Sequence, residues 1–184
     1  MSVSGRTVAD VPRLIAPTPL MHASWLESRD EWGRGVHQDG AGLHAEDDVE
    51  SAEGFSAWID RLRSESDPSV PVEPGRVRAT YWWIIEDETH VGAITLRHHL
   101  NDFLLNAGGH IGYAIRPAFR RRGLASWALG AVLPEAKTIG LNAVLITCDA
   151  GNLASAKVIE RHGGQLEDIR DTDLGRTKRY WITL

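Results

Sequence analysis

The most informative segment of the chain is residues 108–138, which read GGHIGYAIRPAFRRRGLASWALGAVLPEAKT. Their pattern predicts a strand from His110 to Arg116, a tight turn at Pro117, three consecutive arginines and then an amphipathic helix. A loop that ends in Gly123 at a helix start directs several backbone N–H groups and the positive end of the helix dipole at one point. That point favours an anion, and guanidinium groups match the geometry of phosphate.

The spacing within this loop is a second indication of an anion site. Arg120, Gly123 and Ala125 fit the pattern Arg/Gln-x-x-Gly-x-Gly/Ala, which leaves little side-chain bulk where the backbone must approach a ligand. An ordinary strand-to-helix turn with solvated arginines also explains one short glycine-rich motif. The motif alone therefore leaves both interpretations open.

A second patterned segment follows the first helix. Residues 142–148 read NAVLITC, a short apolar run that predicts a buried strand. This run is followed by DAGN and by the helical pattern NLASAKVIERHGG, which ends at Gly163 or Gly164. The chain thus presents a strand, a phosphate turn, a helix, a strand, an asparagine and a second helix, in that order.

This order resembles the GNAT superfamily of acyl-CoA N-acetyltransferases, and the resemblance covers residues 80–184. The stretch LRHHLNDFLLNAGGHIGYAIRP, residues 96–117, is similar to a bacterial subgroup of uncharacterised acetyltransferases. The resemblance implies an α/β (α+β) fold, with a GNAT-like mixed, mostly antiparallel central sheet flanked by helices on both faces. It also implies that acetyl-CoA is the acyl donor substrate.

The resemblance assigns an acetyl-CoA site to the two motifs. It implies a pyrophosphate loop made of Arg120, Arg121, Arg122, Gly123, Leu124, Ala125 and Ser126. Backbone pairing of the pantetheine arm is implied at Ile115. Contacts with that arm near the sulfur are implied for Asn152 and Ser155, and Lys157 is implied to reach the adenosine phosphates.

Composition and charge limit the class of protein. A chain of 184 residues with 42% hydrophobic residues fits one globular domain, which we expect to span residues 1–184. No apolar run approaches the roughly 18 residues of a membrane span, and the N-terminus lacks the apolar core of a secretory signal. We therefore expect a cytoplasmic protein without a membrane partner. The net charge of −5 argues against a nucleic-acid partner, so the arginine cluster is better explained by one ligand with several phosphates.

The cysteine and histidine content predicts no metal site. Cys148 is the single cysteine, which excludes an internal disulfide and a thiolate zinc site. Its place at the end of an apolar strand predicts a buried, inert thiol rather than a nucleophile. The eight histidines show no ligand spacing beyond the adjacent pair His98 and His99.

The remaining elements follow from periodicity and from the glycine and proline positions. We expect a strand at 13–16, a helix from Thr18 to about Arg34, a helix at 47–62 that is interrupted or bent near Gly54, a loop at 64–75, a hairpin of strands 79–86 and 91–98, a loop at 101–109, and a C-terminal hairpin within 165–184. Pro134 leaves two alternatives for the helix after Gly123, since the helix either bends or ends near Leu133 and restarts.

Acetyl transfer to an amine sets three chemical requirements. An alkylamine with a lysine-like pKa must lose a proton before it attacks the thioester. The negative charge of the tetrahedral intermediate needs a donor, which a backbone N–H near Ala114 or Ile115 supplies. The leaving thiolate needs a proton from an acid or from water.

The chain departs from the family pattern at the groups that move protons. Gly109 stands at the strand position where several members hold a Glu or His base, and Ile159 stands where many hold a tyrosine acid. Thr147, at the alternate base position, orients water but is a poor base. The remaining titratable candidates near the strand openings are His98, His99, Asp102, His110 and Tyr113, with Glu86 as a weaker base candidate. Of these, His110, Asp102 and His99 are the predicted catalytic residues.

Alternatives stay open for each candidate. A satisfied structural histidine is the alternative for His110, whose unperturbed pKa near 6.5 suits proton exchange. Asp102 either binds a cationic acceptor or caps a turn. Tyr113 shares a strand face with Ile111 and Ile115, so we expect it to pack in the core.

The predicted function is transfer of an acetyl group from acetyl-CoA to a primary amine of a small molecule or peptide. One alternative is a non-catalytic acyl-CoA-binding sensor or interaction module. Another is a loop that serves a different phosphorylated ligand, such as a nucleotide. Because dimers are common in this fold, a homodimer is an open expectation.

Overall fold

The computed structural model describes residues 11–184, and the prediction about a secretory signal concerns a segment that lies mostly outside this range. The strands are β1 (Arg13–Ile15), β2 (Ala79–Glu86), β3 (Thr89–Arg97), β4 (Ile111–Ile115), β5 (Ala143–Asp149), β6 (Gln165–Thr172) and β7 (Gly175–Thr183). The α-helices are α1 (His22–Trp32), α2 (Ala52–Ser66), α3 (Leu124–Thr138) and α4 (Leu153–Arg161). Short 3-10 turns cover Pro19–Met21 and Pro117–Phe119, and a π-helical turn covers Leu104–Gly108.

The strands form one seven-stranded sheet in the order β1-β2-β3-β4-β5-β7-β6. Every neighbouring pair is antiparallel except β4 and β5, which run parallel. Ile111 and Ile146 are the one register pair of β4 and β5, and the His110 N–H donates to the Leu145 carbonyl at 2.7 Å just before it. The two strands therefore separate beyond this point.

Helices cover both faces of the sheet. Ile84 of β2 belongs to a core with buried residues of α3 and α4 such as Leu129 and Ile159. The neighbouring Trp83 points to the other face and belongs to a second core with Trp58 of α2. This alternation is what a strand with two buried faces requires. The structure confirms the predicted fold class of a mixed, mostly antiparallel sheet between helices.

The second helix differs from its prediction at both ends. Its cap is Ser51, whose Oγ accepts the Gly54 N–H at 3.0 Å, and the helix continues past Leu62 to Ser66. Gly54 does not interrupt the helix, because it lies within α2. A Cβ there would lie 2.2 Å from the Asp48 carbonyl oxygen, so the glycine allows the preceding loop to approach closely.

The helix α3 continues through Pro134 to Thr138, so it does not end near Leu133. Ala136, two residues after the proline, is fully buried in the core with α4. Packing therefore offsets the roughly 3 kcal/mol cost of an interior proline. Residues 101–109 also differ from the predicted loop, because the Gly109 N–H bonds the Leu104 carbonyl at 2.7 Å and closes a π-helical turn.

Membrane insertion has no support from the helices of the described chain. Between residues 11 and 184, none of them is both long and apolar enough to cross a bilayer.

Candidate active site

A cavity of about 820 Å³ lies where β4 and β5 separate. Its volume falls within the roughly 300–1,000 Å³ typical of small-molecule sites. Its wall includes residues 112–115 of β4, residues 147–149 at the end of β5 and the first turns of α3 and α4. The segment after α1 adds Trp32, His37 and Asp39.

The register of β4 determines which backbone groups face the gap. The Arg97 N–H donates to the His110 carbonyl, and the Arg116 N–H donates to the Val91 carbonyl. In an antiparallel pair, the groups that bond the partner strand alternate along the chain. Tyr113 and Ile115 therefore direct their backbone groups away from β3 and toward the gap.

The predicted phosphate loop contains two residues with positive φ and leads to a helix start without a side-chain cap. Arg121 has φ +62° and Gly123 has φ +84°, both in the left-handed region. No side chain caps α3, and its first helical bond runs from the Trp127 N–H to the Gly123 carbonyl. The N–H groups of residues 124–126 precede that bond, and all three residues line the cavity. Such a helix start favours an anion.

The three arginines of the loop have different partners. Arg120 lies over the Trp32 ring at 4.4 Å, and its Nε donates to the Ile115 carbonyl at 3.1 Å. Arg120 and Arg121 line the cavity. Arg122 instead forms an ion pair with Glu86 at 2.8 Å and lies outside the cavity wall. Two of the three predicted guanidinium groups therefore face the site.

The first turns of α4 supply the opposite wall. The Oδ1 of Asn152 accepts the Ser155 N–H at 3.0 Å, and both residues line the cavity. Lys157 is exposed and lies outside the wall. Arg161 lines the cavity instead, on the helix face shared with Val158. Its spacing from Ser155 and Val158 follows the helical period, which is the signal in the sequence that identifies it.

A loop brings further polar groups to the cavity. Gly40, at φ +80°, packs against β4 so closely that a Cβ would lie 2.4 Å from the Gly112 carbonyl oxygen. The flanking His37 and Asp39 are joined by a bond of 3.2 Å between Nε2 and Oδ1. The hydrogen bond to Asp39 raises the pKa of His37. Sequence patterns gave no signal for this pair, because only the Gly40 contact places it here.

None of the three predicted catalytic residues lines this cavity. His110 is buried against Trp181, and its Nδ1 accepts the Leu145 N–H at 2.8 Å. Burial lowers the pKa of His110 to about 4. Asp102 and His99 are exposed. A proton-transfer role for these residues stays a prediction, and the geometry of His110 agrees with its structural alternative.

The family of the chain follows from a comparison of its sequence with known domains. Residues 38–165 match the acetyltransferase (GNAT) domain. The chain belongs to the GNAT acetyltransferase family. This confirms the resemblance found in the sequence, and the protein is an acetyl-CoA-dependent acetyltransferase. No curated protein sequence matches the chain.

Solved GNAT structures share the fold at low sequence identity. An acetyltransferase from Salmonella typhimurium that modifies the N-terminal serine of ribosomal protein L7/L12 is 16% identical over 96% of each chain, with a TM-score of 0.66. Mycobacterium smegmatis RimJ, in complex with CoA-disulfide, is 19% identical over 95% of this chain and 83% of its own, with a TM-score of 0.70. The microcin C7 self-immunity acetyltransferase MccE, in complex with acetyl-CoA and AMP, is 14% identical over 96% and 94% of the two chains, with a TM-score of 0.66.

The structure shows the surroundings of the two positions where the resemblance predicts proton-transfer groups. Gly109 has φ +64°, and a Cβ there would lie 2.7 Å from the Leu145 carbonyl oxygen, so a Glu or His is not accommodated. Ile159 is fully buried in the core under α4 and points away from the cavity wall. Thr147 lines the cavity, but its hydroxyl donates to the Ala107 carbonyl.

Tyr113 combines core packing with a polar contact in the cavity. Its ring packs against the core with α3 and α4, as predicted, while its hydroxyl lies 2.9 Å from Ser155 Oγ. Burial raises the pKa of Tyr113 to about 12, so the phenol keeps its proton at neutral pH. Cys148 lines the cavity nearby, and burial also raises the pKa of its thiol. This agrees with the expected inert cysteine.

Among residues 11–184, no group of three or more His, Cys, Asp and Glu side chains is arranged to hold a metal ion.

Proposed function

We propose that this enzyme transfers the acetyl group of acetyl-CoA to a primary amine of a small molecule or peptide by direct attack, through a tetrahedral intermediate. One observation carries the proposal: a single cavity extends from the uncapped start of α3 to the gap between β4 and β5. The proposal treats residues 1–184 as one catalytic domain in the cytoplasm, without nucleic-acid or membrane partners, and it leaves a homodimer open.

The donor binds along the α3 and α4 side of the cavity. The N–H groups of residues 124–126 and the guanidinium groups of Arg120 and Arg121 hold the pyrophosphate. Arg161 takes the adenosine-phosphate role that the sequence assigned to Lys157, because Arg161 lines the cavity. The pantetheine arm pairs with the backbone of Ile115, next to Asn152 and Ser155. Solved GNAT relatives are described with coenzyme A or acetyl-CoA bound, which supports this donor.

The acceptor amine approaches from the side of His37 and Asp39. The hydrogen bond to Asp39 raises the pKa of His37, which makes the neutral ring a stronger general base than an ordinary histidine. The Asp39 carboxylate orients the His37 ring and favours its protonated form after the amine proton is taken. We assign to His37 the general-base role for which Gly109 has no side chain.

The reaction then needs a donor for the oxyanion and a proton for the sulfur. The Ile115 N–H serves the oxyanion, because the register directs Ala114 toward β3 instead. The Tyr113 hydroxyl lies 2.9 Å from Ser155 Oγ. With Tyr113 as the donor in this bond, Ser155 gives its hydroxyl proton to the departing thiolate and takes the Tyr113 proton in its place, and water then returns a proton to Tyr113. This pair replaces the tyrosine that Ile159 cannot supply.

The test is thiol release from acetyl-CoA with a panel of primary amines, together with mass spectrometry of the acetylated product. We expect release that depends on the amine. A non-catalytic acyl-CoA sensor is favoured by the missing groups at Gly109 and Ile159, and it would bind acetyl-CoA without any release. A nucleotide-binding loop would instead show nucleotides displacing acetyl-CoA in a thermal-shift competition.

A further inference from the structure

We infer that the acceptor of this enzyme carries a carboxylate close to its reacting amine, and that the guanidinium of Arg97 binds this carboxylate. The inference rests on the proposed function, since it concerns the acceptor side of the same cavity. It adds a substrate class, which is amino acids or acidic peptides rather than simple alkylamines.

Arg97 is fixed at the end of β3 with its charged group toward the cavity. Its Nη1 donates to the Gly108 carbonyl at 2.9 Å and to the Gly109 carbonyl at 3.1 Å. A Cβ at Gly112 would lie 3.7 Å from both Nη atoms and 3.2 Å from the Gly40 nitrogen, so the glycine allows the guanidinium and the loop to pack together against β4. Arg97 and Gly112 both line the cavity. The guanidinium is therefore both held in place and accessible to a ligand.

The described chain gives Arg97 no carboxylate partner, because none lies within 4 Å of it between residues 11 and 184. Glu65, which shares a small neighbouring cavity with Arg97, is already used: its Oε1 accepts from Arg61 and its Oε2 from Tyr81. Two backbone carbonyls do not neutralise a full charge. Burial lowers the pKa of Arg97, which indicates a cation that has lost part of its hydration. Such a cation gains most from an anion that arrives with the ligand.

The part of the cavity near Arg97 also contains a negatively charged side chain. Asp39 lies on the loop that packs on Gly112, and its charge is close enough to favour the protonated form of Arg97. A cationic amine is attracted to Asp39 while a carboxylate is attracted to Arg97. A zwitterionic acceptor satisfies both, and the carboxylate places its amine beside His37 and the gap.

The test measures binding and turnover separately, with acceptors that differ only in the carboxylate. One pair is a free amino acid and its amide, compared at equal concentrations of unprotonated amine. The other pair is a short peptide with Glu or Gln as its second residue. Calorimetry on the protein saturated with coenzyme A gives the affinity, and thiol release gives kcat/KM. The two pairs distinguish a free amino acid from an acidic peptide.

We expect wild-type protein to prefer the acidic member of at least one pair by about tenfold or more, as for a charge-assisted hydrogen bond. Arg97→Gln should remove this preference while leaving the neutral member unchanged, and Arg97→Lys should retain part of it. Arg13→Gln, on the distant edge strand β1, is the matched control and should keep the full preference. Affinity for acetyl-CoA checks that each variant is folded.

Equal affinity of wild-type protein for acidic and neutral members, or no binding of either, would overturn the inference without any variant. An equal loss for both members in Arg97→Gln would also overturn it, because the arginine would then only support the carbonyls of Gly108 and Gly109. Selective binding of acids without thiol release would support the inference and contradict the proposed catalytic function.

Discussion

Gly109 lies two residues before β4, where the family resemblance predicts a base, and replacing it tests whether a side chain fits there. At φ +64° and ψ −177°, Gly109 adopts a backbone conformation essentially restricted to glycine, so a residue with a Cβ costs about 1–3 kcal/mol there. The added Cβ would also lie 2.7 Å from the Leu145 carbonyl oxygen, which already accepts the His110 N–H. Overlap of this kind costs about 1–3 kcal/mol more. We expect Gly109→Ala to lower the free energy of unfolding by about 2–6 kcal/mol in total.

Gly140→Ala is the matched control for this prediction. Gly140 has φ +91°, and nothing lies within 4 Å of a Cβ built there, so this variant carries the conformational cost alone, about 1–2 kcal/mol. Urea unfolding at neutral pH, followed by tryptophan fluorescence, measures both variants. The difference between them measures the overlap with β5 together with any difference in backbone cost between the two glycine conformations. If Gly109→Ala is no less stable than Gly140→Ala, the steric explanation is refuted.

A second arm connects the same position to catalysis. Gly109→Glu restores the carboxylate of the family pattern, but the overlap disturbs the Ile111 and Ile146 pair that joins β4 to β5. We therefore expect slower acetylation of any accepted amine than in the wild-type enzyme. A higher kcat would show that the missing base, rather than the backbone, limits this position.

Three further predictions concern the site and its pH response. Arg121→Gln should weaken acetyl-CoA binding about tenfold or more, whereas Arg122→Gln should change it less than about twofold, since Arg122 pairs with Glu86. Calorimetry measures both affinities, and equal losses would contradict the assignment of Arg121 to the phosphate site. Tyr113→Phe keeps the packing and should lower kcat by at least about tenfold with unchanged acetyl-CoA affinity, and an unchanged kcat would exclude the proposed relay. Burial lowers the pKa of His90 to about 3, so its contribution to the free energy of unfolding is complete above pH 6.5 and is lost as the pH falls toward 3. Between pH 7 and pH 5 the wild-type protein should lose about 2 kcal/mol from this residue in urea unfolding, and His90→Leu should not. An equal loss in the variant and the wild type would contradict this assignment.

The order of elements was predictable because local patterns determine it. Strand β2 begins and ends where the sequence predicts, at Ala79 and Glu86, because turn residues bound a run of aromatic and β-branched residues. The loop before α3 was equally predictable from local sequence, because Arg120 and Gly123 are close together in the chain. The predicted start of α2 at residue 47 was wrong, because Asp47 and Ser51 are both acceptable cap residues and tertiary contacts of Gly54 select Ser51.

The acceptor side of the site was not predictable in the same way. His37 and Arg97 are sixty residues apart in the sequence, and contacts of Gly40 with Gly112 and with the Thr95 hydroxyl bring their loop and strand together. Arg122 was assigned to phosphate because it adjoins Arg121, yet Glu86 from a different strand binds it. Such pairings depend on the three-dimensional arrangement of the sheet, which periodicity does not contain.

The division of helices between the two faces of the sheet has a consequence for how this enzyme can change. Donor-binding groups come from α3 and α4 on one face, whereas the loop with His37 and Asp39 belongs to the other face and touches β4 only through a pair of glycines. Replacement of that loop would leave the coenzyme-binding elements intact. Exchange of a short segment can therefore change the acceptor while acetyl-CoA binding is inherited unchanged, provided that the new segment again supplies a general base in the place of His37.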